Sequence, residues 1–211
     1  MVGLNDKDKQ NALNEIRLLA SVSHENVVQY KESFIDVSQH QTLCLVMEYC
    51  EEGDMLSKIE TNFKQKNCFA EYEIWSVLVQ CLCGLKALHD LNVMHRDIKS
   101  ANILVSKSGA CKLADFNVSK VVRDGLLRTQ TGTPYYASPE VWNDKPYDFK
   151  SDVWSLGCVL YEVAAGRVPF KANDMKGLYK KVCQAAFPPL PTRYSQALRD
   201  TITSMLTVDA G

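Results

Sequence analysis

The run SDVWSLGCVLYEVAAG, residues 151–166, is apolar on nearly every side of a helical wheel. A helix of that kind cannot lie on a surface, where a polar face must meet water; other elements have to wrap it. Gly166 stops it and Pro169 follows. Any fold for this chain must therefore be built around one central buried helix. With 211 residues and 46% apolar content, the chain is large enough to do so as one domain.

The clearest partner is the stretch 71–90, where Ile74, Val77, Leu78, Cys81, Leu85 and Leu88 recur at three- and four-residue spacing and predict a long amphipathic helix. GDML, residues 53–56, opens a short helix with Asp54 as its N-cap. Upstream, residues 6–20 place Ala12, Ile16, Leu19 and Ala20 on one helical stripe with Glu15 beside it, and SHENV breaks that helix. VVQYKESF (27–34) and TLCLVMEY (42–49) read as strands, the second so apolar that burial on both faces is expected. NILV (102–105) and CKLADF (111–116) predict a short hairpin turning through KSG. Strands and one helix come first, then mostly helix. The fold class is α+β with unequal halves.

Charge and cysteines narrow the function. There are 24 basic and 25 acidic residues, a net charge of −1, and no basic block, so neither nucleic acid nor an anionic membrane is expected as the main partner. The longest apolar runs are too short to span a bilayer, and no signal peptide is evident. Eight cysteines are scattered, mostly inside apolar runs, and Cys81 and Cys83 point to different faces of one helix. They read as small apolar residues of a reduced, cytosolic or nuclear protein.

LADFNVSK, residues 113–120, then poses a chemical question. Asp115 has small or apolar neighbours, and a carboxylate so placed must be hydrated, paired or bound to a cation. HRDIKSAN, residues 95–102, supplies company: Asp97, Lys99 and Asn102 on a loop just before the hairpin that returns the chain toward Asp115. Asp115 and Asn102 offer hard oxygen ligands for Mg²⁺. Lys99 offers a point charge for a phosphate, and Asp97 an acceptor for a hydroxyl proton.

HRDIKSAN, then ADFN, then GTPYYASPE resembles the signature set of protein kinases, in order and over almost the whole chain. Lys99 and Thr133 are of the serine/threonine type, and LVMEYCEEGDM, GTPYYASPE and KSDVWSLGCVLYE are most similar to the NIMA-related kinases. The resemblance implies a kinase-like fold, with residues 1–47 a remnant of the small β-containing lobe and residues 48–211 the mostly helical lobe. It implies ATP and Mg²⁺ as cofactors and protein serine or threonine as substrate. Asp97 becomes the catalytic base, Lys99 a γ-phosphate contact, and Asn102 and Asp115 the metal ligands. Met47, Glu48, Cys50, Asp54 and Leu104 become nucleotide positions, Met47 guarding the back of the pocket while Glu48 and Cys50 present backbone groups to adenine. Asp54 is thus a candidate ribose contact as well as a cap. Glu15 would orient the phosphate-binding lysine, or is an ordinary surface charge near Arg17.

Asp152 would brace the catalytic loop, and Glu140 would pair with an arginine beyond the end of MLTVDAG. Arg96 implies activation by phosphate on Thr129, with Thr131 the alternative. Asn117 stands where the family has glycine, and asparagine is the best non-glycine tenant of positive φ. His95 reads as a packing residue. No glycine-rich loop and no VAIK-like lysine precede Glu15, and Lys7 and Lys9 belong to the entry of the helix. Two readings stay open: an ATP-dependent protein kinase whose full-length product supplies the rest of the small lobe, or a pseudokinase-like scaffold or incomplete gene product. The family association adds centrosome, cilium or nucleus to a cytoplasmic expectation.

Overall fold

A computed structural model describes residues 16, 17, 19–36, 42–115, 134–146 and 148–208. The elements are β1 (Tyr30–Asp36), β2 (Thr42–Met47), α1 (Met55–Lys64), α2 (Glu71–Asp90), a 3₁₀ turn (Ser100–Asn102), β3 (Ile103–Val105), β4 (Cys111–Leu113), α3 (Pro139–Trp142), α4 (Phe149–Ala165), α5 (Met175–Cys183) and α6 (Gln196–Met205). Ile16, Arg17 and residues 19–21 are also helical. This is the α+β class read from the sequence.

The helix α4 is the post of the molecule. Leu156, Cys158, Val159, Leu160 and Tyr161 on it are fully buried. It is capped by Asp148, whose side chain accepts from Ser151 N, and it ends where Gly166 takes φ 70°. Helix α2 lies across it, burying every apolar position that the three- and four-residue spacing marks. Below α4, Trp154 stacks on Phe170 with ring centroids 5.5 Å apart, and Phe187 meets both Phe170 and Tyr161 edge-on. Cys81 is buried and Cys83 exposed, and all eight cysteines are free thiols.

The two small sheets differ in what covers them. β3 and β4 pair antiparallel in register Ile103↔Leu113, with Gly109 at φ 84° in the turn. Leu113 N donates to Asn26 O and Val28 N to Leu113 O, both at 2.9 Å, which ties the upstream chain to the hairpin. β1 and β2 pair antiparallel, with a register slip between Tyr30 and Glu32. β1 begins three residues later than VVQYKESF suggests. β2 is not buried on both faces: none of its residues is buried, and Leu45 is 42% exposed. An apolar strand acquires that burial only from what packs over it, and among the described residues β1 and β2 form a sheet of two.

Candidate active site

The loop 95–102 is set by α4 from beneath. Asp152, in the first turn of α4, has no exposure to solvent. Its Oδ2 accepts from His95 N at 3.0 Å and from His89 Nε2 at 2.8 Å, and its Oδ1 accepts from Arg96 N at 3.0 Å. A carboxylate taken out of water in this way is tolerated because charge-assisted donors meet it. The bonds also hold Arg96 at φ 67°, a left-handed conformation that costs a side-chain-bearing residue about 1–2 kcal/mol.

That fixed loop delivers its polar side chains to one place. Lys99 Nζ lies 2.8 Å from Asp97 Oδ2. Asn102 Nδ2 donates to the same oxygen at 3.1 Å and to Asp97 O at 2.8 Å. The amide nitrogen of Asn102 being so engaged, its Oδ1 is left as the hard-oxygen donor. Ala114 N donates to Asn102 O at 2.9 Å, so Asp115 follows directly on a residue anchored to the loop. Asp115 is exposed, with φ 56°. Of the three ways a carboxylate can be tolerated here, openness to solvent is the one the structure displays, and the same openness leaves its oxygens accessible to a cation. Mg²⁺ takes one or two protein carboxylates or amides and completes its octahedron with phosphate and water, which suits the pair Asn102 and Asp115.

His95 reports on the same convergence. It is completely buried, and burial pushes its imidazole pKa down even though the carboxylates of Asp152, Asp97 and Asp115 all push it up. Three carboxylates therefore surround one neutral, packed ring, the packing residue expected from the sequence.

The remaining sequence-derived positions fall into three groups. Glu48 sends its side chain away, its carboxylate 3.0 Å from Lys112 Nζ, and spends its N–H on Gln29 O at 2.8 Å, so its carbonyl is the backbone group left to face a ligand. Met47 and Leu104 are half-buried; Cys50 is buried, and burial first, then Glu48, raises its thiol pKa. Asp54 caps α1, with both oxygens accepting from Ser57, and bridges to Leu104 across the strands. Glu140 accepts from the Ser151 hydroxyl in the first turn of α4. Glu15, Asn117, Thr129 and Thr131 lie outside the described residues.

Three residues at the site escape sequence reading. His89 is the third donor to Asp152. Tyr136, half-buried, joins the buried Glu162 and Ser100 in a hydrogen-bonded chain beside the loop. One signal was available: Glu162 is an acid deep within the apolar run of α4, and such an acid has to find a donor.

The protein kinase domain profile matches residues 3–211. The chain belongs to the protein kinase family. Within it the chain is Nek-like: it is 42% identical over 204 residues to mouse serine/threonine-protein kinase Nek1, covering 96% of this chain and 16% of that protein. It is 40% identical to human serine/threonine-protein kinase Nek5, covering 96% of this chain and 28% of the relative. Against rice serine/threonine-protein kinase Nek6 it is also 40% identical, over 96% of this chain and 37% of that protein. The kinase domain thus spans well under half the length of each of these relatives. Kinases use ATP with Mg²⁺ as a class.

Proposed function

We propose that the protein transfers the γ-phosphoryl group of Mg·ATP to serine or threonine hydroxyls of protein substrates. The observation that carries this reading is the double engagement of Asp97 Oδ2 by Lys99 and Asn102, with Asp115 held alongside through Ala114. Asn102 and Asp115 would hold Mg²⁺, which would supply charge neutralisation for the phosphates.

This chain's residues would do the rest. Asp97, its Oδ2 fixed by two donors, presents Oδ1 to the acceptor hydroxyl and takes its proton as the oxygen bonds the γ-phosphorus and the bond from that phosphorus to the departing ADP breaks. Lys99, already beside Asp97, places its ammonium where charge grows on the transferred group. Asn102 Oδ1 and the Asp115 carboxylate would hold the cation, while the Glu48 carbonyl and Cys50 backbone would meet the adenine edge. Met47 and Leu104 enclose that base, and Asp54 lies at the ribose end. Asp152 supports the reaction through the backbone of His95 and Arg96, without touching substrate.

The test is phosphotransfer by the full-length protein with and without Asp97→Asn. Loss of 10²-fold or more in kcat, with thermal stability retained, is the expected outcome, on the order of a general-base contribution. Chelation of Mg²⁺ by excess EDTA should abolish incorporation and excess Mg²⁺ restore it. Equal incorporation by wild type and Asp97→Asn would defeat the mechanism.

Activation is proposed to follow phosphorylation of Thr129, or of Thr131, pairing with Arg96. Phosphopeptide mapping of active protein should find one of them occupied; finding neither removes the idea. The Nek-like resemblance supports a cytoplasmic location, with centrosome, cilium or nucleus added by family association. Among the described residues no helix is long and apolar enough to cross a membrane.

A further inference from the structure

A polar chain runs through the interior beside the loop, and none of the steps above uses it. Ser100, fully buried, has its Oγ 3.0 Å from the Tyr136 hydroxyl. That hydroxyl donates to Glu162 Oε2 at 2.7 Å, and Glu162 is 6% exposed. Ser155 Oγ donates to Tyr136 O at 2.9 Å, so the tyrosine is held by backbone as well as by hydroxyl.

Proton counting gives the chain a direction. A phenol has one proton, and here it is donated to the Glu162 carboxylate, so Ser100 is the donor to the tyrosine oxygen. Burial drives the phenol pKa of Tyr136 far up, which keeps it a neutral donor. Burial also raises the Glu162 pKa, while Tyr136 and Ser100 pull it down; Glu60, facing it from α1, adds to the rise. Cys158, one turn back on α4, is a buried neutral thiol near Glu162. The Tyr136 hydroxyl, oriented by Ser100, is the donor that makes the burial of Glu162 tolerable.

The three residues belong to three different segments. Ser100 opens the 3₁₀ turn that begins right after Lys99 and ends on Asn102. Tyr136 lies in residues 134–138, in the GTPYYASPE stretch that closes the activation segment. Glu162 is on α4, the same rigid post that holds the other end of the loop through Asp152.

We propose that Ser100, Tyr136 and Glu162 act as one positioning unit, through which the end of the activation segment sets the turn that carries Lys99 and Asn102. The proposal rests on the kinase reading for its kinetic consequence. Its structural consequence is independent: disturbing Tyr136 must loosen residues 97–102, although the tyrosine is 36 residues from Ser100 in the chain.

The experiment compares the full-length protein with its Tyr136→Phe, Ser100→Ala, Glu162→Gln and Tyr136→Phe/Ser100→Ala variants. Each is assayed with dephosphorylated casein as acceptor and by hydrogen exchange of peptides covering 97–102. Tyr136→Phe should lower kcat about tenfold, equivalent to ~1.4 kcal/mol of barrier, while KM for ATP moves by less than about twofold. Ser100→Ala should lower kcat less, and the double variant should be no worse than Tyr136→Phe, because both changes cut one chain. Exchange across 97–102 should quicken in Tyr136→Phe, and Glu162→Gln, which keeps an acceptor oxygen, should show both effects in weaker form. Strictly additive losses, a general rise in KM for ATP, or unchanged exchange in 97–102 would each overturn the proposal. If wild type showed no Asp97-dependent transfer, the kinase reading would fail, while the exchange measurement would still decide whether the unit exists.

Discussion

Asp152→Asn is the substitution that most directly tests how the site is held. The change is nearly isosteric, so it removes charge and one acceptor without opening a cavity. Oδ2 of Asp152 serves two donors, His95 N and His89 Nε2, while Oδ1 serves Arg96 N. An amide would keep its oxygen toward the pair and turn its NH₂ toward the Arg96 N–H, donor against donor. A hydrogen bond to a charged partner contributes about 1.5–3 kcal/mol, and a buried donor left without an acceptor costs a similar amount. Arg96, at φ 67°, would lose the bond that offsets its backbone strain and would relax toward negative φ. A net loss of roughly 3 kcal/mol follows, some of it recovered by that relaxation. For a domain of this size each kcal/mol shifts Tm by about 2–4 °C, so unfolding should move down by about 6–12 °C. Arg96 is next to Asp97, so single-turnover transfer should slow on the order of tenfold or more even at temperatures where the variant is fully folded. Scanning calorimetry at neutral pH and a single-turnover assay measure the two effects. A Tm within about 1 °C of wild type, with an unchanged rate, would refute the idea that Asp152 holds this loop.

Other outcomes follow from the same geometry. In Gly84→Ala the new Cβ would sit 2.6 Å from Asn26 O and 3.1 Å from Leu113 Cδ1. Asn26 O is the acceptor for Leu113 N, so α2 would push on β4; overpacking of about 1–3 kcal/mol should outweigh a helix-propensity gain of up to about 1 kcal/mol, and a raised Tm would contradict this. Burial raises the pKa of Glu162 in the folded protein, so the folded state binds its proton more tightly than the unfolded chain does. That stabilisation is complete below the ordinary glutamate range and is lost as pH rises through the raised folded value. Glu162→Gln lacks the effect, so wild type should lose Tm relative to the variant as pH climbs through that window, and parallel Tm–pH curves would exclude it.

The parts of this fold that were legible in the sequence are those whose physics is local. Helix α2 runs over the very residues its spacing marks, because burial of one stripe needs only a neighbour of any kind. The loop 95–102 was legible because Asp97, Lys99 and Asn102 lie within six residues of one another and need no distant partner to converge. β2 was misjudged for the opposite reason, since its burial depends on layers that composition cannot specify. His89, Tyr136 and Glu162 were missed because their partnerships close loops of 63 and 26 residues.

The apolar helix that most constrained the reading also explains those omissions. It carries two carboxylates ten residues apart, Asp152 and Glu162, about 15 Å along its axis. Neither acid can be satisfied by its own helix neighbours, so each recruits donors from a different segment, Asp152 from the backbone at 95–96 and Glu162 from Tyr136. The two segments then meet at Ser100, three residues from Asp97. A helix apolar throughout would pack as well or better and would hold neither segment. The two acids, the costliest residues to bury in α4, are thus the ones that tie its position to the geometry of the site.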